Sequence, residues 1–431
     1  MSTEATHRQA DIQARAAKVL PAGGFGNYAA DIIVARGDGS QVWDEDGNRY
    51  VDLLIGSGPM LVGHSHPEVL EVVQEQLSIG QTFFANNRLG IELAEQIVHD
   101  MACAQKVRYV STGGEADMYA MRLARAHTGR EKILKFEGGY HGMSDHALMS
   151  LAPTQLTNYP LAVPDSAGIL DHVRDTTIVA PWNAPETLTG LLDEYDGQIA
   201  GIIIEPLQRI IPPAPGWLEH VRAETAKRGI VLIFDEVVTG YRLAYGGAQE
   251  KYGVIPDLCT LGKVIGGGFP LAAIAGSDEI MAHFDKALVG PEGFTFQVGT
   301  LSGNPVAAAA GLKTMEILSR PGTYDRMRAN GEAIMQAAQN AFEAAGVPIQ
   351  ITGDATLFEL VFTDRPVVNY RNALQSNKAQ EAVYNAAMRK SGILKPPGKI
   401  YTHLALTEDD LGQIEEGMKA AAEAVAAMPH H

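Results

Sequence analysis

Two kinds of apolar spacing divide the chain. GIIIEP at 201–206 and GIVLIFDE at 229–236 are apolar runs without polar alternation, the pattern of strands covered on both faces by helices. Between them, LEHVRAETAKRG sets Leu218, Val221 and Ala226 at i, i+3 and i+8 with Gly229 past the end, which predicts a glycine-capped helix. Upstream, KVRYV, a glycine turn, a helix through EADMYAMRLARAH and then KILKF give strand, helix and strand, the order of a parallel crossover. Nearer the start, QVWDEDGNRYVDLLIG predicts two short antiparallel strands around the Asp46-Gly47-Asn48 turn. After residue 300, GNPVAAAAGLKTMEILS and an Ala-rich stretch around 324–345 read as helices. QITGDATLFELVFT alternates like strands, and a last helix begins near Thr407, a polar cap followed by acids. The expected architecture is α/β. A large domain over 65–315 carries a doubly wound, mostly parallel central sheet sandwiched by helices, and segments 1–64 and 316–431, the two chain ends, share a small α+β domain.

Composition narrows the classes of function. The chain has 431 residues, 46% apolar and 20% charged, which is ordinary for a globular protein and long enough for two or three domains. A formal net charge of −17 repels phosphate backbones and anionic membrane surfaces, so neither nucleic acid nor membrane is an expected partner. No apolar run approaches the roughly 18 residues of a membrane span, and the first twenty residues lack the apolar stretch of a signal peptide. Cys103 and Cys259 stand far apart without a CxxC partner, which supports neither a disulfide framework nor a thiolate zinc site. A soluble, uncleaved, cytoplasmic protein is expected. His64 and His66 in GHSHP have no companion ligands at metal-site spacing, so no metal is expected, and the terminal Pro-His-His is assigned no chemistry.

Three segments carry candidate chemistry. VRYVSTGG precedes a helix, and Gly113 and Gly114 let a phosphate approach the positive end of that helix. The run IVLIF delivers Asp235 and Glu236 to the carboxyl end of a strand, where open α/β sheets bind ligands. A buried carboxylate there calls for a cationic partner at Asp235, while Glu236 serves equally well as a cap of the following turn. In PDLCTLGKVIGGGFP, Lys263 sits between an apolar strand and three glycines. Little water around it favours the neutral amine, a nucleophile that forms a Schiff base with an aldehyde. The glycines follow the lysine, so this is not a nucleotide P-loop. A phosphate cradle, a carboxylate for a ring cation and a lysine for an aldehyde match the three groups of pyridoxal 5′-phosphate.

Over nearly its whole length the chain resembles the class III, fold type I pyridoxal-phosphate aminotransferases, especially the glutamate-1-semialdehyde aminomutase-like branch. The motifs that carry the resemblance are VWDEDGNRYVD, GHSHPEV, STGGEADMYAMRLARAHTGREKILKFEGGYHG, IIIEP, LIFDEVVTGYRLAYGG, PDLCTLGKVIGGGFP and GTLSGNP, in the family's order. The resemblance implies that Lys263 is the Schiff-base lysine and Asp235 the partner of the pyridine nitrogen. It implies that Gly113 and Gly114 cup the phosphate, Tyr140 stacks on the ring and Val237 lies under its other face. Thr300 would reach the phosphate bound in the neighbouring subunit, which makes the expected assembly a homodimer with its active site at the subunit interface. Glu205 lies near the cofactor in relatives, in a catalytic or a structural role, and His141 and Arg242 carry the same two readings.

The expected reaction is amino transfer from an amine or amino acid to a carbonyl or oxo-acid acceptor by a ping-pong mechanism through Lys263. The alternative is the aminomutase reaction, an amino shift within glutamate 1-semialdehyde. Departures from the aminomutases weigh against it: STGGEA stands for NSGTEA, FGNYAAD for the Asn-Ser-Pro-Val-Arg stretch, Ser57 for a tryptophan, and Lys399 for a glutamate. Arg209 in EPLQR, where glycine is commoner among relatives, is the candidate grip for a substrate carboxylate. Phe25, Tyr28, Ser57, Phe84 and Lys399 are further pocket candidates by alignment. A nicotinamide oxidoreductase would need G-x-G-x-x-G, which STGGEAD lacks, and a non-catalytic binding module would have no use for Lys263.

Overall fold

In the computed structural model, which describes residues 8–429, the uninterrupted apolar runs form the centre of a seven-stranded sheet. Its strands are β1 (Lys106–Val110), β2 (Lys132–Phe136), β3 (Thr177–Ala180), β4 (Ile199–Ile204), β5 (Val231–Asp235), β6 (Leu258–Leu261) and β7 (Ala272–Gly276). Across the sheet they run β1-β7-β6-β5-β4-β2-β3. Only β7 is antiparallel to its neighbours; β6, β5, β4, β2 and β3 form a parallel set. Every residue of β4 and β5 is buried, which explains the absence of polar alternation. Helix α1 (Gly113–Thr128) makes the crossover from β1 to β2, which are not neighbours, and lays Ala116, Ala120 and Ala124 on the sheet. Gly201 permits this approach, since a Cβ there would stand 2.9 Å from that of Ala124.

Helix α2 (Trp217–Arg228) follows β4. Leu218 and Val221 are buried as predicted, but Ala226 is exposed and Thr225 takes its place. Seven residues return to nearly the same helical face, whereas the eighth lies about 100° further round. The Thr225 hydroxyl costs nothing there because it donates to the Val221 carbonyl at 2.9 Å.

This large unit comprises Glu68–Pro321 and a short return, Pro366–Gln375. Arg371 fastens the return by gripping the Glu137 carboxylate with both guanidinium arms, Nε at 2.7 Å and a terminal nitrogen at 3.0 Å. The second unit takes the chain up to Pro67, Gly322–Arg365 and the residues from Ser376. In it Gln41–Asp44 and Arg49–Asp52 form the expected antiparallel pair, and Ile393–Leu394 adds in parallel to the second of them, so both chain ends build one sheet. Gln350–Asp354 and Leu357–Val361 pair antiparallel. Helices Thr323–Ala344, Lys378–Lys390 and Glu408–Ala426 share a core with Phe358, through Phe342, Met388 and Met418. The last helix starts from a capping box between Thr407 and Asp410. Among the described residues no helix is long and apolar enough to cross a membrane. Residues 1–7 and the terminal His430 and His431 lie outside those described.

One buried group of the second unit makes its stability pH-dependent. His403 is fully buried, its Nε2–H donates to the Asp52 carbonyl at 3.0 Å, and burial lowers its pKa from 6.5 to about 4 against the opposing pull of Asp52. The unfolded chain then binds a proton that the native one refuses, so this contribution is present above pH 6.5 and lost as pH falls toward 4. Urea unfolding at pH 7 and pH 5 is expected to differ by on the order of 2 kcal/mol from this group. His403→Gln, which keeps an N–H donor without the titration, should remove that part of the slope; an unchanged slope refutes the assignment.

Candidate active site

The apolar strand β5 ends by delivering Asp235 to the carboxyl edge of the sheet, 4% exposed. Its Oδ1 accepts from the Val237 amide at 3.1 Å, and Oδ2 lies 2.8 Å from Nδ1 of the buried His141. Asp235 is in register with Thr260 on β6. Beyond β6 the chain turns through Gly262 into a single 3₁₀ turn, Lys263–Gly266. Lys263 has φ +50°, a left-handed conformation that a non-glycine residue holds only where its surroundings impose it. One such support is helix α3 (Pro305–Leu318): a Cβ on its Gly311 would stand 1.9 Å from the Ile265 carbonyl, so glycine lets the helix seat the lysine turn.

The opposite wall is the start of α1. Thr112 caps the helix, its hydroxyl accepting from the Glu115 amide, while Glu115 accepts from the amides of Ser111 and Thr112. That box leaves the first helical amides, those of Gly113 and Gly114, to serve an anion. Val237 joins the two walls. A Cβ on Gly113 would meet a Val237 methyl at 2.7 Å, and one on Gly262, beside Lys263, would meet the same methyl at 3.2 Å. Gly142 lies as close to Gly114, with 2.3 Å from its ideal Cβ to that residue's Cα, so the GGYHG loop closes over the helix start.

In that loop the Tyr140 amide donates to Glu205 Oε2 at 2.9 Å, which gives Glu205 a structural hydrogen-bonding role. Above Tyr140 stands Arg209, its guanidinium 5.3 Å from the ring centre. Arg209 occupies a tight turn closed by reciprocal Gln208–Ile211 backbone bonds of 3.1 and 2.8 Å, with φ +60°. A positive φ is a conformation that glycine adopts without strain.

Burial distorts the acid–base chemistry here. Glu236 is wrapped by the Ala248 amide at 2.6 Å, Gln249 at 3.0 Å and Thr239 at 3.1 Å, and burial raises its pKa to about 6; it caps the segment after β5. Lys135, buried on β2, donates to the Ala147 carbonyl at 2.6 Å and is lowered by burial to about 7. Asp117, absent from the sequence prediction, is 2% exposed and accepts from Thr260 at 2.6 Å. Burial first, and the charge of Asp235 next, push its carboxyl well above the usual range. Its signal was present in the sequence: an acid amid Ala116, Ala120, Met121 and Ala124, on the apolar face of α1.

The large unit thus brings together Gly113, Gly114, Tyr140, Glu205, Arg209, Asp235, Val237 and Lys263. Thr300 is exposed, in the loop between Thr295 and α3. Phe84 is 70% exposed beside a cavity of about 660 Å³ that Tyr109 and Gln297 also line. Arg242 is wholly buried. The other candidates belong to the second unit, where Phe25 and Ser57 are exposed, the Tyr28 hydroxyl donates to the Lys395 carbonyl at 2.9 Å, and Lys399 is buried with its amine 5.9 Å from the Tyr401 ring centre. His64 is tied to Asp52 at 2.7 Å, and Gly37 leaves room for its ring.

These residues fit pyridoxal phosphate on their own chemistry: a helix start with glycine amides for phosphate, a buried carboxylate for a ring cation, an aromatic face, and a lysine on a strained turn between them. Comparison with known proteins agrees. The family described as Aminotransferase class-III matches residues 25–422. The chain is 41% identical to a glutamate-1-semialdehyde 2,1-aminomutase of Heliobacterium modesticaldum, over 92% of this chain and 90% of the other. It superposes on an omega-transaminase from Sphaerobacter thermophilus with a TM-score of 0.91 and 34% identity, covering 97% of both chains. A solved transaminase with pyridoxal phosphate bound gives 0.89 at 28% identity, covering 99% of both chains.

Proposed function

The chain belongs to the class III aminotransferases, pyridoxal-phosphate enzymes of fold type I, and from that premise we propose which of its residues do the work and on what. The observation that carries the proposal is Val237 lying against both Gly113 and Gly262 while its amide donates to Asp235, a closeness of the α1 start, the lysine turn and the carboxylate that supports a single cofactor site. When bound, the cofactor supplies an electron-accepting ring and an aldehyde that takes up and gives back an amino group. Gly113 and Gly114 would hold its phosphate by their amides. Asp235 would hold a proton on the ring nitrogen, Tyr140 and Val237 would pack against the ring, and Glu205 fixes the Tyr140 backbone. Lys263 Nζ would hold the cofactor aldehyde and would serve as the base that moves the proton from the substrate α-carbon.

The reaction is transfer from an amine or amino acid to a separate carbonyl or oxo-acid acceptor, with the Arg209 guanidinium gripping a substrate carboxylate. The aminomutase name of relatives near 40% identity favours the intramolecular alternative; the departures from the aminomutases, Ser57 and Lys399 among them, favour transfer between molecules. The active assembly is a homodimer, with Thr300 reaching the phosphate bound by the partner. Its exposure, amid Phe296 and Val298 at 69% and 59% exposed, supports that role. The acid excess and two free cysteines support a cytoplasmic setting.

The test is the absorbance of the purified enzyme while single amines and amino acids are added without an acceptor. Bleaching of the yellow lysine-linked band by several donors is expected, and those donors outline the pocket. Response only to five-carbon diamino or semialdehyde compounds would establish the aminomutase instead. Failure to form the band with added pyridoxal phosphate refutes the residue assignment.

A further inference from the structure

Asp235 does not face the ring nitrogen alone. Asp117, buried on α1, presents its carboxyl to the same pocket, and one polar atom each of Asp117, His141 and Asp235 lie within 4.8 Å of one another. Two ionised carboxylates at that spacing, in a site almost without water, repel strongly, and the pair relaxes by keeping one proton. The charged and titratable neighbours of Asp117 include Asp235, His141 and, further off, Glu205. Hydrogen bonding selects which carboxyl keeps the proton. Asp235 already receives the Val237 amide on Oδ1 and has His141 Nδ1 2.8 Å from Oδ2, so both of its oxygens have partners without a hydrogen of their own. Asp117 receives the Thr260 hydroxyl on Oδ1 at 2.6 Å, and its Oδ2 is left to carry a hydrogen. Burial and the charge of Asp235 push the Asp117 carboxyl up, in the same sense.

We propose that Asp117 is a protonated positioning residue, donating its Oδ2 hydrogen to Asp235 and so fixing that carboxylate toward the cofactor's ring nitrogen with one negative charge in the pair rather than two. The inference rests on the reading that Asp235 faces that nitrogen. Asp117 acts through Asp235 and touches no reacting atom. Thr260 belongs to the same device, since its hydroxyl commits Oδ1 of Asp117 as the acceptor.

The direct test is infrared spectroscopy of the holoenzyme at pH 8 with aspartate-selective carboxyl labelling. The carbonyl stretch of a protonated carboxylic acid, which no ionised carboxylate shows, is expected to move with the label and to be missing from Asp117→Asn. Absence of a labelled band in the wild type overturns the proposal, and this arm needs no variant to fold. The second readout is the dissociation constant for pyridoxal phosphate. Asp117→Ala, which removes the donor, is expected to weaken it about tenfold. Asp117→Asn, whose amide N–H replaces the O–H without charge, is expected to restore it to within about threefold of wild type. If Asp117→Asn instead weakens the cofactor as much as Asp117→Ala, a charge has been removed and the proposal fails. Asp235→Asn separates this failure from that of the underlying reading: unchanged cofactor affinity there refutes the place given to Asp235. A weakened Asp235→Asn combined with no labelled band refutes only the protonated Asp117.

Discussion

Lys263→Ala is expected to lower kcat by about 10⁴-fold or more, a loss of about 5.5 kcal/mol of transition-state stabilisation, while leaving the melting temperature close to that of wild type. The size follows from two jobs assigned to one Nζ: it holds the cofactor at rest, and it moves the α-proton, a task worth about 10²–10⁴ by itself. The small effect on stability follows from its place. Lys263 is only partly buried, on a 3₁₀ turn seated by the backbone approach of Gly311 to Ile265, and alanine keeps that seat. Borohydride reduction followed by peptide mass spectrometry should fix the cofactor on Lys263 in the wild type and nowhere in the variant. The competing lysine is Lys135, also tuned by burial, to about 7. The residue is 1% exposed and its amine is spent on the Ala147 carbonyl, so it has no route to an aldehyde. Label on Lys135, or a variant within tenfold of wild-type turnover, would overturn the assignment.

What the sequence reveals and what it hides divide along a physical line. Uninterrupted apolar runs announce buried parallel strands, because nothing but burial on both faces explains them, and β4 and β5 follow. Asp235 and Lys263 are legible for a related reason: a charge directly after such a run stands at the mouth of the sheet. Asp117 is harder. It lies within a helix, where an acid is ordinarily a solvated face, and only its position among buried alanines betrays it. Placing Ala226 on the buried face of α2 treats i+8 as equivalent to i+7, an error of one helical step that the buried Thr225 resolves. The return of Pro366–Gln375 to the large unit is invisible, since the Arg371–Glu137 grip joins positions 234 residues apart and neither has a distinctive neighbourhood. Long-range pairs of surface-type residues leave no local periodicity to read.

Arg209→Gly carries the second large effect and tests two claims with opposite signs. The side chain is proposed to grip a substrate carboxylate from above Tyr140, and removing a two-bond guanidinium grip costs about 2–3 kcal/mol. KM for acidic donors or acceptors should rise about 30–150-fold at that cost, with little change for an amine that has no carboxylate. The backbone predicts the reverse for stability. Arg209 pays for φ +60° in a turn where glycine is unstrained, so the variant should match or exceed the wild type in urea midpoint, with up to about 1 kcal/mol gained from the relieved strain. Arg209→Lys separates charge from shape, because it keeps the cation and the strain but loses the planar fork, and should fall between the two in KM. Equal KM changes for acidic and neutral substrates would show that Arg209 does not read the carboxylate. A lower urea midpoint for the glycine variant would show that the turn is held by the arginine side chain rather than strained by it. The expected pair, weaker acid recognition with equal or greater stability, identifies a residue kept at the expense of its own backbone for what its side chain binds.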